Sequence, residues 1–496
     1  MKRVLAAVVV AGLAAVAWPS AVGAQARDQL VLGMQLEPPH LDPTAGAAGA
    51  IREVTYANLF EGLTRLDRRG QVQPQLAERW TISPDGLSYR FSLRAGVRFH
   101  DGTPFDSASV KFTLERAMAP DSTNAQKQLF EPIASIETPD PLTVVITLKR
   151  PTASFLYNLA WGDAVMMAPG SVATNRERPI GTGPFRFDSR TPGDRVVLVK
   201  NPDHRDAATI ALNRVVFRFI SDPQAQVAAL RAGDVDAFPN LGPAEAVDGF
   251  RRDARFTVAI GNTEGETILA LNNSKAPFTD VRVRRAIAHA IDKGAVIDGA
   301  MSGTAKPIGS HFSPNHPAYV DLTSRYPYNP AEARRLLAEA GVRDLRVTLR
   351  LPPPAYARRS GEIIAAMLAD VGITATIEAV EFPRWLETVF RNADFDMTII
   401  AHTEPMDINI YGRPTYYFRY QNHARLQAIM DEVERTGDEA ARNRLYGDAQ
   451  RLLSEDAVNV FLFQLPKIGV WNARLEGLWE NSPLQANDVT GVRWRN

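Results

Sequence analysis

The chain has 496 residues with 34 Pro, 33 Gly and no Cys, and its 56 Lys plus Arg balance 56 Asp plus Glu. Hydrophobic residues at 45% and charged residues at 23% are typical of globular proteins and exclude a largely disordered, collagen-like or polytopic membrane chain. The absence of Cys excludes disulfides, thiolate zinc sites and cysteine catalysis. Balanced charge without a long basic run argues against nucleic-acid binding.

The first 26 residues have the composition of a cleavable secretory signal peptide. Lys2 and Arg3 precede the apolar run 4–18, and Ala24-Gln25-Ala26 places small residues at the −3 and −1 positions of a cleavage site. A membrane anchor is the alternative, because the uncharged stretch is borderline for spanning a bilayer. Pro19 and the small-residue end favour cleavage. Since no Cys is available for lipidation, we expect export to the periplasm as a protein that is not a lipoprotein.

Strands and helices alternate along the rest of the chain. In the first part, hydrophobic periodicity and end signals predict strands at 30–36, 89–93, 143–148, 196–199 and 215–220, and helices at 51–62, 106–117 and 223–232. Asp106 can cap the second of these helices, and Gly233 ends the third.

The second part continues the alternation. It predicts helices at 281–299, 330–341, 360–371, 383–392, 426–436 and 439–455, with strands at 346–351, 373–380, 395–401 and 458–462. This order indicates an α/β protein with mixed sheets.

Motifs for catalysis and for cofactor binding are absent from the sequence. There is no G-x-S-x-G, no G-x-x-x-x-G-K-[ST], no G-x-G-x-x-G and no H-E-x-x-H pattern. His311 and His316 lie in a Pro-containing loop that does not give the helical spacing of a metal site, so we interpret both as structural or exposed. We therefore expect no enzymatic activity, no cofactor and no metal.

Four segments carry a resemblance to a known family. They are residues 76–117, which begin LAERWTISPDGLSYRFSLRAGVRFHDG; residues 179–187, PIGTGPFRF; residues 269–293, LALNNSKAPFTDVRVRRAIAHAIDK; and residues 326–341, YPYNPAEARRLLAEAG. Together they resemble the extracellular solute-binding proteins of family 5, the peptide, opine and nickel binders that serve ABC importers.

The resemblance implies a two-lobed periplasmic-binding-protein fold with an inserted third domain. Carried over to this chain, the first lobe comprises residues 27–58, 179–262 and 466–496. The inserted domain comprises 59–178 and the second lobe 263–465.

The resemblance also implies a mechanism of transport. Ligand binding between the lobes stabilises a hinge-closed form, which docks on an inner-membrane ABC permease and releases its cargo. A peptide or peptide-like ligand is the leading prediction, and an opine, an oligosaccharide or a metal chelate is the alternative. A second possible function is that of a sensory or chaperone-like relative, which binds a ligand or an unfolded chain but delivers nothing to an importer. We expect a monomer.

In the peptide binders of this family, an Asp of the second lobe pairs with the amine of the ligand. The matching segment follows the strand 395–401, where this sequence departs from the family by having His402 at a position where Trp is common. The amine-binding carboxylate is therefore either Glu404 or Asp407. His402 is a further candidate, for pH sensing or metal contact, although a neutral hydrogen-bonded His is the alternative.

Other candidate ligand contacts lie on both lobes. Arg413 has the planar geometry to bind a ligand carboxylate, with surface exposure as the alternative. Tyr416 and Tyr417 combine an apolar ring with a polar hydroxyl, which suits a partly solvated cleft, with core packing as the alternative. In the first lobe, Ala48 and Gly49 belong to a small-residue loop that lines the pocket in relatives, with simple loop flexibility as the alternative.

Overall fold

The computed structural model describes residues 27–403 and 407–495, so the predicted signal peptide and Glu404 lie outside the described residues. The described chain begins with strand β1 (Gln29–Met34) and helix α1 (Gly49–Thr55). Helix α1 ends earlier than the predicted 51–62 because Tyr56 is extended and Ala57 has a φ of 58°. The apolar residues that follow form a turn, not further helix.

A small antiparallel sheet follows. A hairpin of β2 (Thr64–Leu66) and β3 (Val72–Pro74) comes first. The sheet itself consists of β4 (Ala77–Ile82), β5 (Ser88–Leu93), β6 (Ile133–Asp140) and β7 (Thr143–Leu148). Its strand order is β4-β5-β7-β6. Helix α2 (Ser107–Met118) begins as predicted, because the Asp106 carboxylate accepts a hydrogen bond from the Ser109 backbone N–H at 3.0 Å. A short helix, α3 (Phe155–Asn158), follows. Apolar residues between Leu63 and Ala168 form a common core, here named the small-sheet unit.

The chain then enters the first half of a large mixed sheet. This half contains β8 (Phe185–Thr191), β9 (Arg195–Lys200), β10 (Arg214–Phe219) and β11 (Ala237–Phe238), with helices α4 (Pro223–Ala232) and α5 (Val247–Arg251). Strand β1 pairs in parallel with β10. Helix α4 has the predicted bounds, since Asp222 caps its start and Gly233, with a φ of 79°, ends it.

The next segment differs from the sequence prediction in two places. Strand β12 (Phe256–Leu271) was not predicted at all. The predicted helix 281–299 is two helices, α6 (Val281–Ala290) and α7 (Lys293–Met301). Ile291 between them is extended, and the Asp292 carboxylate caps α7.

The remaining elements form the second half of the large sheet and its cover. They are β13 (Lys306–Pro307), α8 (Pro330–Glu339), β14 (Leu345–Leu351), α9 (Ala355–Ala369), β15 (Ile373–Ala379), α10 (Phe382–Trp385), β16 (Met397–His402), α11 (His423–Arg435), α12 (Glu439–Glu455), β17 (Asn459–Asn472), β18 (Leu475–Glu476) and β19 (Arg493–Trp494). Helix α10 continues into a π-helical turn, Leu386–Arg391. Strands β14, β15 and β16 confirm the predicted β-rich runs.

Strands β12 and β17 connect the two halves of the large sheet. Its strand order is β15-β14-β16-β12-β17-β11-β1-β10-β9-β8. Strand β12 pairs with β16 only through its second part, from Glu266 to Leu271, and its register with β17 shifts between Asn262 and Glu266. The shift marks the point where both strands pass from one half to the other.

Three apolar clusters support the large sheet. One cluster packs against β1 and β8–β10. A second is continuous across both halves, from α4, β11 and α5 to β14–β16, and a third, rich in aromatic rings, surrounds the segment after β16. Within the described ranges, no helix is long and apolar enough to cross a bilayer.

Candidate functional site

Three adjacent cavities lie along the line where the two halves and the small-sheet unit meet. An inner cavity of about 180 Å³ and a central cavity of about 210 Å³ share Gly49, Gln485 and Ala401 in their walls. An outer cavity of about 450 Å³ shares Asp407 and Arg413 with the central one and is closed on its other side by the small-sheet unit. Together the three cavities form an elongated cleft.

One wall of the cleft depends on a close approach of two distant chain segments. A Cβ on Gly49 would lie 2.4 Å from Oε1 of Gln485, so glycine permits this approach. Gln485 Oε1 accepts a hydrogen bond from Arg52 Nη2 at 2.7 Å, and Arg52 forms a buried ion pair with Asp163 at 3.2 Å. The Gln485 amide donates in turn to the Thr403 hydroxyl after β16. This chain of contacts joins the halves across the cleft.

On the opposite wall, Asp407 begins a 3₁₀ turn and is held by a buried histidine. His311 Nε2 donates to Asp407 Oδ1 at 2.8 Å, and His311 Nδ1 lies 3.0 Å from Glu266 Oε1. Only 1% of the His311 side chain and 8% of the Asp407 side chain are exposed. Burial alone would lower the pKa of His311, but the carboxylates on either side raise it to about 10. His311 is therefore a cation between two acidic groups.

His402 lines the central cavity as a neutral side chain. Burial lowers its pKa to about 4, and its Nε2 is hydrogen-bonded to the Tyr417 hydroxyl at 2.9 Å. Its Nδ1 lies 3.8 Å from Asp407 Oδ2. Glu266, His402 and Asp407 have potential ligand atoms within 4.8 Å of one another, a spacing compatible with a metal ion. The His311 cation already contacts both carboxylates, so we interpret this group as an ion-pair network.

Arg413 brings a positive charge to the same cleft. Its Nη2 donates to Asn409 Oδ1 at 2.9 Å, and its guanidinium carbon lies 5.8 Å from the centre of the Tyr416 ring. It forms no ion pair with any residue that the structure describes. Trp161, across the outer cavity, has a buried indole N–H without a hydrogen-bond partner among those residues. The cleft thus offers a carboxylate at Asp407 and two donors for a ligand acceptor.

The structure places the predicted site residues as follows: Gly49, His402, Asp407, Arg413 and Tyr416 line the cleft, Ala48 and Tyr417 are buried beside it at 4% and 1% exposure, and Glu404 lies outside the described residues. Tyr417 supports His402 from behind the cavity wall. The roles of these residues in ligand binding stay predictions.

Sequence reasoning missed the residues that hold the site together. Glu266, His311 and Gln485 belong to three distant segments, and their contacts depend on the pairing of β12 with β16 and β17 and on the path of the C-terminal chain. No local pattern signals such contacts. Of the two alternatives for His311, structural or exposed, the structure shows the first, since the side chain is buried against two carboxylates.

The chain is similar to known bacterial solute-binding proteins. The model of the bacterial extracellular solute-binding proteins, family 5 Middle, matches residues 71–422. The glutathione-binding protein GsiB of Salmonella paratyphi A is 30% identical over 467 residues, covering 88% of this chain and 89% of the relative. The oligopeptide-binding protein AppA from Bacillus subtilis, solved with a nonapeptide, superposes with a TM-score of 0.87 at 23% identity over 95% of this chain and 100% of AppA. AgaA from A. tumefaciens R10, solved with agropinic acid, gives a TM-score of 0.86 at 24% identity over 94% and 99%.

Proposed function

Because the chain belongs to family 5 of the bacterial extracellular solute-binding proteins, we propose that it captures a peptide or peptide-like solute in the cleft and delivers it to an ABC importer. Its mixed α/β fold is the two-lobed fold of periplasmic binding proteins. The observation that carries the proposal is the pairing of charges in the cleft. Asp407 and Arg413 line the same two cavities, and the structure describes no ion-pair partner for Arg413. A ligand with both an ammonium and a carboxylate group would satisfy both side chains.

The proposed lobes follow the expected boundaries. The first comprises residues 27–58, 179–262 and 466–496, the second comprises 263–465, and the inserted domain is 59–178. The register shift of β12 between Asn262 and Glu266 supports a hinge near the proposed crossing, and the separate core of the small-sheet unit supports the insertion.

Closure of the lobes is the proposed working step. Two contacts hold the second lobe to its neighbours. Arg359 of the second lobe bonds the Glu245 carboxylate of the first lobe through both terminal nitrogens at 2.6 Å. The hydroxyl of Ser154, in the inserted domain, lies 3.0 Å from an oxygen of Glu434 in the second lobe. A ligand that binds the closed form more tightly than the open form shifts the population toward it. Binding and release of this kind need no covalent chemistry.

Delivery of a solute to an ABC importer requires that the protein be exported and that it bind a permease. We propose that residues 1–26 direct export and are removed, and that the monomeric protein works in the periplasm with an inner-membrane permease. The relative GsiB is named for glutathione binding. Glutathione is a short peptide with a free amine and two carboxylates, so it is a reasonable first ligand to test on this chain.

A non-peptide cargo, such as an opine, an oligosaccharide or a metal chelate, is the second candidate. It is favoured by His402, which replaces the Trp common in the family and lines the central cavity. Such a ligand would use the same cleft and the same closure.

Thermal unfolding against a ligand panel tests the proposal. The panel contains glutathione, di- to pentapeptides, their N-acetylated forms, opines, oligosaccharides and nickel with and without chelators. A ligand at about 100 times its dissociation constant adds about 2.7 kcal/mol of stability, which moves the unfolding midpoint measurably. We expect shifts with free-amine peptides and weaker shifts with the acetylated forms. Shifts with only opines, sugars or chelates would contradict the peptide proposal and support the second candidate.

A further inference from the structure

Glu266 stands at the point where the chain passes from one half of the large sheet to the other. It is the first residue of β12 after the register shift, and its backbone pairs with His402 of β16 and Gln464 of β17. Its side chain is 2% exposed and points toward His311. The ion-pair network therefore begins on a strand that links the lobes.

The contacts of His311 leave Asp407 with one oxygen for the cleft. Oδ1 of Asp407 accepts from His311, and Oδ2 lies 3.8 Å from His402 Nδ1, at the wall of the central cavity. We propose that His311 is a positioning residue: held by Glu266, it fixes the Asp407 carboxylate so that Oδ2 faces the ammonium group of the ligand. This inference rests on the proposed function, because it concerns how the cleft receives that ligand.

The charges explain why a histidine is needed between the two acids. Two buried carboxylates with no cation between them would repel each other, and one of them would take up a proton. Burial in fact raises the pKa of Glu266 well above its usual range, an effect that His311 opposes. Without the His311 cation, Asp407 would lose both its fixed hydrogen-bond donor and its compensating charge.

Other groups around His311 do not supply that charge. The Tyr411 ring meets it edge-on at 5.2 Å, and burial raises the pKa of the Tyr411 phenol well above its usual range. His316, in the same loop, is stacked on Phe312 at 3.9 Å, and burial lowers its pKa to about 4. His402 is neutral as well. In the described surroundings, His311 is the cationic side chain whose ring nitrogens lie 3.0 Å from Glu266 and 2.8 Å from Asp407.

The first test is the charge state of His311 in the ligand-free protein. Nitrogen-15 NMR of the imidazole side chains, assigned with His311→Gln, should show both His311 nitrogens protonated from pH 6 to pH 9. A neutral His311 at pH 7.5 would overturn the inference. This measurement does not depend on any ligand.

The second test is calorimetric titration of wild-type protein, His311→Gln and Glu266→Gln with glutathione and with the dipeptides of the panel. His316→Gln is the matched control, since it removes a half-buried histidine from the same loop. Loss of the His311 bond to Asp407 should weaken binding of free-amine peptides by about tenfold to hundredfold, as expected for a hydrogen bond between charged groups. Binding of the N-acetylated forms and the behaviour of His316→Gln should change much less.

The outcomes separate the inference from the function. Equal affinity of His311→Gln and wild-type protein for free-amine peptides, with both variants folded by circular dichroism, would overturn the positioning role. A wild-type protein that binds no peptide would refute the proposed function instead. The NMR result then decides whether the charged bridge exists.

Discussion

Replacement of Glu61 by Gln is expected to destabilise the protein strongly. Glu61 follows the turn after α1 and leads into the small-sheet unit, and its side chain is 2% exposed. Arg205 binds both of its carboxylate oxygens, Nη1 to Oε2 at 3.0 Å, and His204 Nε2 lies 3.6 Å from Oε1. The carboxylate is therefore buried, and its removal leaves Arg205, among the residues that the structure describes, with only the exposed carboxylate of Asp206, 3.5 Å away, as a charge partner.

The magnitude follows from the pKa of this carboxyl. Burial would raise the pKa of Glu61, but the nearby His204 ring and the hydrogen bonds and charge of Arg205 lower it from 4.5 to about 2. At about 1.4 kcal/mol per pH unit, this difference amounts to about 3 kcal/mol of stability. Because the folded-state pKa lies below the unfolded-state value, the contribution is complete above pH 4.5 and is lost as the pH falls through 2.

The assay is urea unfolding of wild-type protein and Glu61→Gln at pH 7 and at pH 3. We expect a difference of about 3 kcal/mol at pH 7 that shrinks to about half or less at pH 3. Glu432→Gln, which breaks the exposed ion pair with Arg435, is the control and should cost less than about 0.5 kcal/mol. A difference below about 1 kcal/mol at pH 7, or one that is equal at both pH values, would refute the reasoning.

Three further predictions concern other parts of the molecule. His100 accepts a hydrogen bond from the Gly181 N–H at Nδ1, its Nε2 contacts the Gly183 carbonyl, and burial lowers its pKa to about 4. Nitrogen-15 NMR at pH 5.5 should therefore show the neutral ring with the proton on Nε2. A cationic ring at pH 6 would contradict this. Gly49→Ala should cost about 1 kcal/mol in urea unfolding, because its Cβ would displace the Gln485 amide from its hydrogen bonds to Arg52 and Thr403; an unchanged unfolding midpoint would contradict this. Arg359→Ala should cost at most about 1 kcal/mol but increase the radius of gyration of the ligand-free protein in small-angle scattering, whereas an unchanged radius would argue against a closing contact.

The sequence predicted those elements whose ends carry local signals. Helix α4 has Asp222 before it, Pro223 at its first position and Gly233 after it, so both ends agree with the structure. The first part of β12, by contrast, is mostly half-buried, and it ends in Gly261 and Asn262, which are unfavourable in strands. Its short apolar run is therefore a weak strand signal. The pairing of β12 with β17 along most of its length makes it a strand.

In the candidate site, too, the residues of one local segment could be predicted from the sequence, whereas those brought together by long-range contacts could not. Family resemblance led to the segment after β16, and the structure places Asp407 and Arg413 from that segment in the cleft. The partners Glu266 and His311 could not be predicted, because they meet Asp407 only through strand pairing and loop packing over long sequence separations. Burial, which decides the charge of His311, is likewise a property of the whole fold.

Calorimetry on the Asp407 carboxylate tests the central claim most directly. The free-amine peptide that stabilises the protein most in the panel is titrated into wild-type protein and Asp407→Asn, together with its N-acetylated form. We predict saturable one-to-one binding by the wild-type protein, and at least about tenfold weaker binding both by Asp407→Asn and for the acetylated peptide. Equal affinity of wild-type protein and Asp407→Asn for the free-amine peptide would contradict the claim that this cleft holds its ligand by the amine.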